Sequence, residues 1–269
     1  MLVRALVLIF AASFISAVSN KDQTLVKESG DFKLVWSDEF DNNGLPDSEK
    51  WNYEVGFIRN REAQYYTEKR LENAEVKNGK LYITAIKEKY EEAEYTSASL
   101  DTKNSHTFTY GRIEVKAKLP HGIGVWPAIW TLGTNINKVG WPACGEIDIL
   151  EFVGYDPDHI HANIHTKKYN HINGNNIGSK FVVKKPWEDF HVYAIEWYPH
   201  RIDFFFDEMK YFSCSDTGEG KAAWPFINAA QYLKINLAIG GTWGGEEGID
   251  DSIFPQEFVI DYVRIYEKE

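Results

Sequence analysis

The segment Trp141-Pro-Ala-Cys-Gly-Glu-Ile-Asp-Ile-Leu-Glu-Phe-Val-Gly154 sets three carboxylates, Glu146, Asp148 and Glu151, among apolar residues. Ile147, Ile149, Leu150, Phe152 and Val153 mark a strand buried on at least one side, because strand side chains alternate between two faces. Alternation puts Cys144, Glu146 and Asp148 on one face and Ile147 and Ile149 on the other. Glu151 falls out of phase, since an offset of five points to the wrong face. One extra residue at Ile149-Leu150, a β-bulge, restores it, and bulges recur next to active sites because they re-aim a side chain. Glu146 and Glu151 then stand effectively four strand positions apart, roughly 13 Å between Cα atoms. Side chains leaning together close that to the ~5–5.5 Å used by a retaining glycosidase. Three carboxylates so close cannot all ionise comfortably, so at least one pKa is raised. A proton held on Glu151 makes it a general acid, an ionised Glu146 is the nucleophile, and Asp148 orients Glu146.

Taken alone, three acids could simply line the solvent face of a strand. The next strand shifts the balance. In His161-Ala-Asn-Ile-His165, the polar residues His161, Asn163 and His165 share a face. Tyr155-Asp-Pro-Asp158 reads as the joining turn, and pairing outward from it places His165 opposite Asp148.

The elements that must hold these residues are short runs of two-residue alternation. Ile113, Val115, Ala117 and Leu119 alternate with Arg112, Glu114, Lys116 and Lys118, while Leu81, Ile83 and Ala85 share one face. RIDFFFD and FVIDYVRIY are rich in aromatic and β-branched residues, as strands are. Asn78-Gly79, His121-Gly122 and Asn173-Gly174 punctuate them as turns. No long window shows a 3.6-residue apolar period, and repeats and a second-domain linker are absent. The pattern predicts an all-β sandwich of two antiparallel sheets, nearest a jelly roll.

The chain has 269 residues, enough for one sizeable core, and domain organisation reads as a leader over 1–19, a polar lead-in over 20–30 and one domain over 31–269. Arg4 and the apolar stretch Ala5 to Val18, followed by small residues, form a secretory signal peptide too short to span a bilayer, so export is expected. A net charge of −11 disfavours nucleic acid and anionic membranes as partners, while a neutral polymer is not excluded. Nine Trp offer indole faces on which sugar rings stack, although about half are expected in the core. Cys144 and Cys214 leave open one bridge or two free thiols.

Together these motifs resemble glycoside hydrolase family 16, particularly its laminarinase-like β-1,3-glucanases. The resemblance rests on Glu146-Ile-Asp-Ile-Leu-Glu151 in its bulged form, Gly124-Val-Trp-Pro-Ala-Ile-Trp130 and Trp141-Pro-Ala-Cys-Gly145. Trp36-Ser-Asp-Glu-Phe40, Asn60-Arg-Glu-Ala-Gln-Tyr-Tyr66, Tyr110-Gly-Arg112, Asn236-Leu-Ala-Ile-Gly-Gly-Thr-Trp243 and Asp261-Tyr-Val-Arg-Ile-Tyr266 extend it over nearly the whole mature chain. The resemblance implies a jelly roll with a concave β-glucan cleft, endo action with retention, and no cofactor for catalysis. It also implies the catalytic roles given above to Glu146, Asp148 and Glu151. Sugar-binding positions implied by it are Asn60, Arg112, Trp126, Trp141, His165 and Trp243, with Trp130 either cleft or core. Many family members hold a structural calcium, and the matching positions are the Asp261 carboxylate with backbone oxygens of Glu39 and Gly79. A monomer acting on β-glucan is expected. A galactan hydrolase or transglycosylase on the same fold, or a non-catalytic glucan-binding module, are the alternatives; the module should lack the three acids.

Overall fold

The alternation in the sequence becomes strands throughout the computed structural model, which describes residues 32–269; the leader and lead-in lie outside the described residues. In Lys80–Tyr90, Leu81, Ile83 and Ala85 are fully buried, and in Gly111–Lys118 so are Ile113, Val115 and Ala117. These inward faces meet those of a second sheet in one core, which takes in Ile147, Ile149 and Leu150.

The two sheets divide the molecule. One has ten strands, in the order Met209–Ser215, Arg201–Phe206, His191–Tyr198, Gly111–Lys118, Gln256–Lys268, Lys80–Tyr90, Ala93–Ser97 and Gln64–Tyr66, with Phe32–Asp38 and Ala74–Lys77 pairing alongside. The other has seven, in the order Ile177–Val182, His159–His165, Glu146–Glu151, Val125–Gly133, Gln231–Ile239, Ser99–Asp101 and Asn52–Tyr53. The pairings are antiparallel, apart from one parallel contact between Gln64–Tyr66 and Ala93–Ser97. This is the predicted two-sheet sandwich. The carboxylate strand lies near the middle of the seven-stranded sheet, where a neighbour on each side fixes its register.

The bulge is where the sequence requires it. Against His159–His165, Asp148 pairs with Asn163 and Glu151 with His161, so three residues on one strand span two on the other. Against Val125–Gly133 the slip falls between Asp148 and Leu150. Ile149 and Leu150 both enter the core, and Glu151 returns to the face of Glu146 and Asp148. The expected pairing of His165 with Asp148 is corrected: His165 stands opposite Glu146. The connection shifts the register by one residue, as the pair Glu151–His161 shows, and the bulge between Glu151 and Asp148 adds the second.

The strands Val125–Gly133 and Gln231–Ile239 are buried on both faces. One face packs into the core, and the other forms a floor roofed by loops. Gly145, just before the carboxylate strand, has φ of 81°, and a Cβ there would lie 2.8 Å from the Phe226 ring and 2.9 Å from Pro225. Only glycine fits that entry without moving the strand that follows.

Candidate active site

Each outer carboxylate is held by an indole N–H from a tryptophan the sequence marks as sugar-binding. Trp141 Nε1 donates to Glu146 Oε2 at 2.8 Å, and Trp126 Nε1 donates to Glu151 Oε1 at 3.2 Å. Asn163 Nδ2 donates to the other Glu151 oxygen at 2.8 Å and is itself held by Asn176, whose Nδ2 donates to Asn163 Oδ1 at 2.7 Å. Asp148, only 3 % exposed, lies between them, with His165 Nε2 3.3 Å from its Oδ2 and 3.8 Å from Glu146 Oε1. All three acids line one cavity of about 530 Å³ on the seven-stranded sheet, together with Asn60, Trp126, Trp130 and Trp141.

Burial pushes all three carboxyls above their ordinary range, and repulsion from a neighbouring carboxylate adds to it at Glu146 and Asp148. Glu146 is displaced by burial and then by Asp148, and Asp148 by burial and then by Glu151. Glu151 rises by burial, offset by the Asn163 hydrogen bond. Spacing alone puts the extra proton on Glu151, whereas the packing pulls hardest on Asp148 and Glu146. Asp148 lies within hydrogen-bonding reach of Glu146, a bond that works against burial at Asp148, so the two carboxyls can share one proton. Ligand-type atoms of Glu146, Asp148 and His165 lie within 4.8 Å of one another, a spacing that would also suit a cation. Donation from Trp141 to Glu146 and the reach between the two carboxyls fit a shared proton.

Trp243 meets Trp126 edge-on, at 5.5 Å and 81°, and also meets the edge of His161 at 5.0 Å. Asn60 Nδ2 donates to Glu62 Oε1 at 3.2 Å on the rim. Trp130 is 7 % exposed and its indole donates to Asn236 Oδ1 at 2.8 Å, so it is part of the cleft floor rather than an open platform. Arg112 is a correction. Its strand belongs to the ten-stranded sheet, where it points away from the core and pairs with Glu114 at 3.0 Å and Glu196 at 3.4 Å. Alternation tells which face a residue occupies but not in which sheet.

The calcium set also meets an obstacle. Asp261 is the bulged residue of Gln256–Lys268, and its carboxylate oxygens lie 2.8 Å from Lys116 Nζ and 3.4 Å from Lys80 Nζ. A cation there would share its one anionic ligand with two ammonium groups. As these side chains stand, they do not fit the ion.

Several cleft residues escape the sequence reading. Asn163 has a visible signal, since it shares a face with His161 and His165. Glu54, Arg59 and Lys234 have none. Glu54 and Arg59 sit in an irregular segment, and Lys234 is an alternating lysine whose complete burial depends on loops packing over it.

The thiols are settled by position. Cys144 is fully buried beside Ala128, Trp130, Leu132 and Tyr232, and burial followed by the Glu146 charge pushes its thiol up to about 11. Cys214 lies in the other sheet, pushed up to about 12 by burial and then Asp203, and both are free. The native protein is expected to resist iodoacetamide and to take two adducts once denatured. A mass gain of two hydrogens on reduction, without denaturant, would show a bridge instead.

A two-sheet sandwich carrying a bulged carboxylate strand in a cleft lined with tryptophan is the arrangement of a glycoside hydrolase. The chain belongs to glycosyl hydrolases family 16, whose family model matches residues 61–264. It is 48% identical over 244 residues to a β-glucanase of Rhodothermus marinus, covering 87% of this chain and 85% of that protein. Among solved structures, the laminarinase from Rhodothermus marinus superposes with a TM-score of 0.86 at 48% identity, covering 88% of this chain and 98% of that one. The laminarinase from Flavobacterium sp. UMI-01 gives 0.80 at 42%, covering 87% and 100%.

Proposed function

We propose that this hydrolase cuts β-1,3-glucan internally by double displacement, with Glu146 as nucleophile, Glu151 as acid/base and Asp148 as the proton-holding partner of Glu146. The observation that carries this is the bulge at Ile149-Leu150, which brings Glu151 onto the face of Glu146 and gives each an indole donor. In the first step Glu151 gives its proton to the glycosidic oxygen as Glu146 attacks the anomeric carbon, and the carbon–oxygen bond to the leaving sugar breaks. In the second, Glu151, now ionised, takes a proton from water as that water attacks the same carbon and frees Glu146. The proton on Asp148 keeps negative charge on Glu146 tolerable in a buried site until it attacks. The full set of three acids sets this reading against a non-catalytic glucan-binding module.

Linkage choice follows from shape. The partly buried Trp243 stands at 81° to Trp126, which like Trp130 belongs to the cleft floor, so the two rings form a corner and offer no single flat platform. A β-1,3-glucan curves and a β-1,4-glucan runs straight, so non-coplanar rings select the first. Laminarin is expected to be cut fastest, mixed-linked glucan next and cellulose not at all, with the β-anomer of the product appearing first by proton NMR. Lichenan preferred about tenfold over laminarin in kcat/KM would sink the linkage argument, and an early α-anomer would sink double displacement. Export, on the strength of the leader, is part of the same proposal.

A further inference from the structure

On the cleft face, across two strand pairings from Asp148, the sheet holds charges that the proposed chemistry does not use. Asp148 pairs with Trp130, Trp130 with Lys234, and Lys234 with Asp101. At roughly 4.8 Å per strand, Lys234 is ~10 Å from Asp148. It is 1 % exposed, with Nζ 2.7 Å from Glu54 Oε1, 3.8 Å from Asp101 Oδ2 and 5.0 Å from the centre of the Trp130 ring. The second Glu54 oxygen accepts from Ser99 Oγ at 2.6 Å and from Arg59 Nη2. The attraction of Lys234 and Arg59 outweighs burial and holds the Glu54 carboxyl down to about 2, so it stays ionised.

The Arg59 guanidinium lies 5.0 Å from the centre of the Trp130 ring and 5.8 Å from that of Tyr66. One arm is spent on Glu54. The other, Nη1, is buried without an acceptor, and Arg59 lines the same cavity as Glu146, Asp148 and Glu151. A buried N–H left unmade costs about 1–3 kcal/mol, more when charged, which a bound partner would recover. The next two residues, Asn60 and Arg61, have φ of 53° and 54°, a left-handed pair without glycine. Such backbone persists where the surroundings over-determine it, and it gathers at ligand clamps.

We propose that Arg59 is a sugar-binding residue of a remote subsite: its Nη1 donates to an oxygen of a glucan residue beyond the one undergoing cleavage. Glu54 holds the guanidinium over the Trp130 ring for that contact, and Lys234 fixes Glu54 in turn. The ligand is uncharged, because Glu54 and Asp101 already balance the two cations, and on the cavity wall Glu62 with Glu146, Asp148 and Glu151 outweighs Lys103, so an anionic substituent would be repelled. The proposal rests on the β-glucan reading.

The test compares long and short substrates. Arg59→Met removes the donor, and Arg59→Lys keeps a cation for Glu54 while losing the second arm, so it carries the test if Arg59→Met melts early. On β-1,3-glucan oligosaccharides long enough to reach the subsite, kcat/KM should fall about 10–100-fold, mostly through KM. On a short activated aryl β-glucoside both variants should stay within about twofold of the parent enzyme. Equal losses on long and short substrates, or no loss on long ones, would overturn the assignment. If the parent enzyme ignores β-1,3-glucan but cuts another neutral β-glucan, the substrate reading fails, and the same comparison on that glucan still decides Arg59.

Discussion

Glu146→Ser is expected to lose on the order of 10⁴-fold or more in kcat on laminarin while folding normally. Without the carboxylate no glycosyl-enzyme bond forms, and the remaining acids cannot replace it. Asp148 is nearly without solvent exposure, and Glu151 is occupied by Trp126 and Asn163. Turnover within about tenfold of the parent enzyme in a clean preparation would end the assignment. Glu146→Gln should show the same loss together with a gain in stability. A carboxyl whose folded-state pKa lies above its unfolded value stabilises the fold fully below the unfolded value, and that stability is lost as pH rises through the folded one. Burial and Asp148 raise Glu146 in this way, so near neutral pH the native trio carries a penalty that an uncharged amide removes. Relief of about 1 kcal/mol corresponds to about 2–4 °C in Tm for a chain of this size, shrinking toward zero in acid. A lower Tm for Glu146→Gln at neutral pH would mean that Trp141 and His165 more than compensate the buried charge.

The carboxylate strand is legible because its chemistry conflicts with its period. Glu146 and Asp148 obey alternation, Glu151 breaks it, and the only local repair is a bulge at Ile149-Leu150, where the structure has it. The sandwich is legible for the complementary reason: Leu81, Ile83, Ala85, Ile113, Val115 and Ala117 follow the rule without exception, and all are buried. Arg112 shows where such reasoning stops. Its alternation is as clean as any, yet it lies on the outer face of the opposite sheet, paired with Glu114 and Glu196, since membership of a sheet is set by long-range pairing that no local pattern encodes. Lys234 shows the same limit from the other side. An alternating lysine reads as exposed until Glu54, Trp130 and Tyr232 close around it. The pairing of His165 fails by two residues, one from the length of the turn and one from the bulge itself, which lies between the turn and His165 and moves every pair beyond it.

Glu151→Ala is expected to separate the two chemical steps. With no acid to protonate the glycosidic oxygen, cleavage of laminarin should fall ~10²–10⁴-fold. An aryl glycoside with a good leaving group needs no such proton, so its first step should survive while the second, lacking a base to activate water, becomes slow. The glycosyl-enzyme on Glu146 should then accumulate, visible as a burst of the aryl alcohol and as an added mass on the intact protein. Azide needs no base. It should enter the space vacated by the carboxylate, attack the anomeric carbon and restore turnover, leaving a β-glycosyl azide because two inversions have occurred. The structure favours that entry, because Trp126 Nε1 and Asn163 Nδ2, both donors to Glu151, would face the cavity with no acceptor and so offer an anion two hydrogen bonds. Adding Asn163→Ala should therefore weaken azide rescue. Normal activity of Glu151→Ala with no response to azide would move the acid/base role to another residue, and an α-azide product would mean that Glu146 never forms the covalent bond.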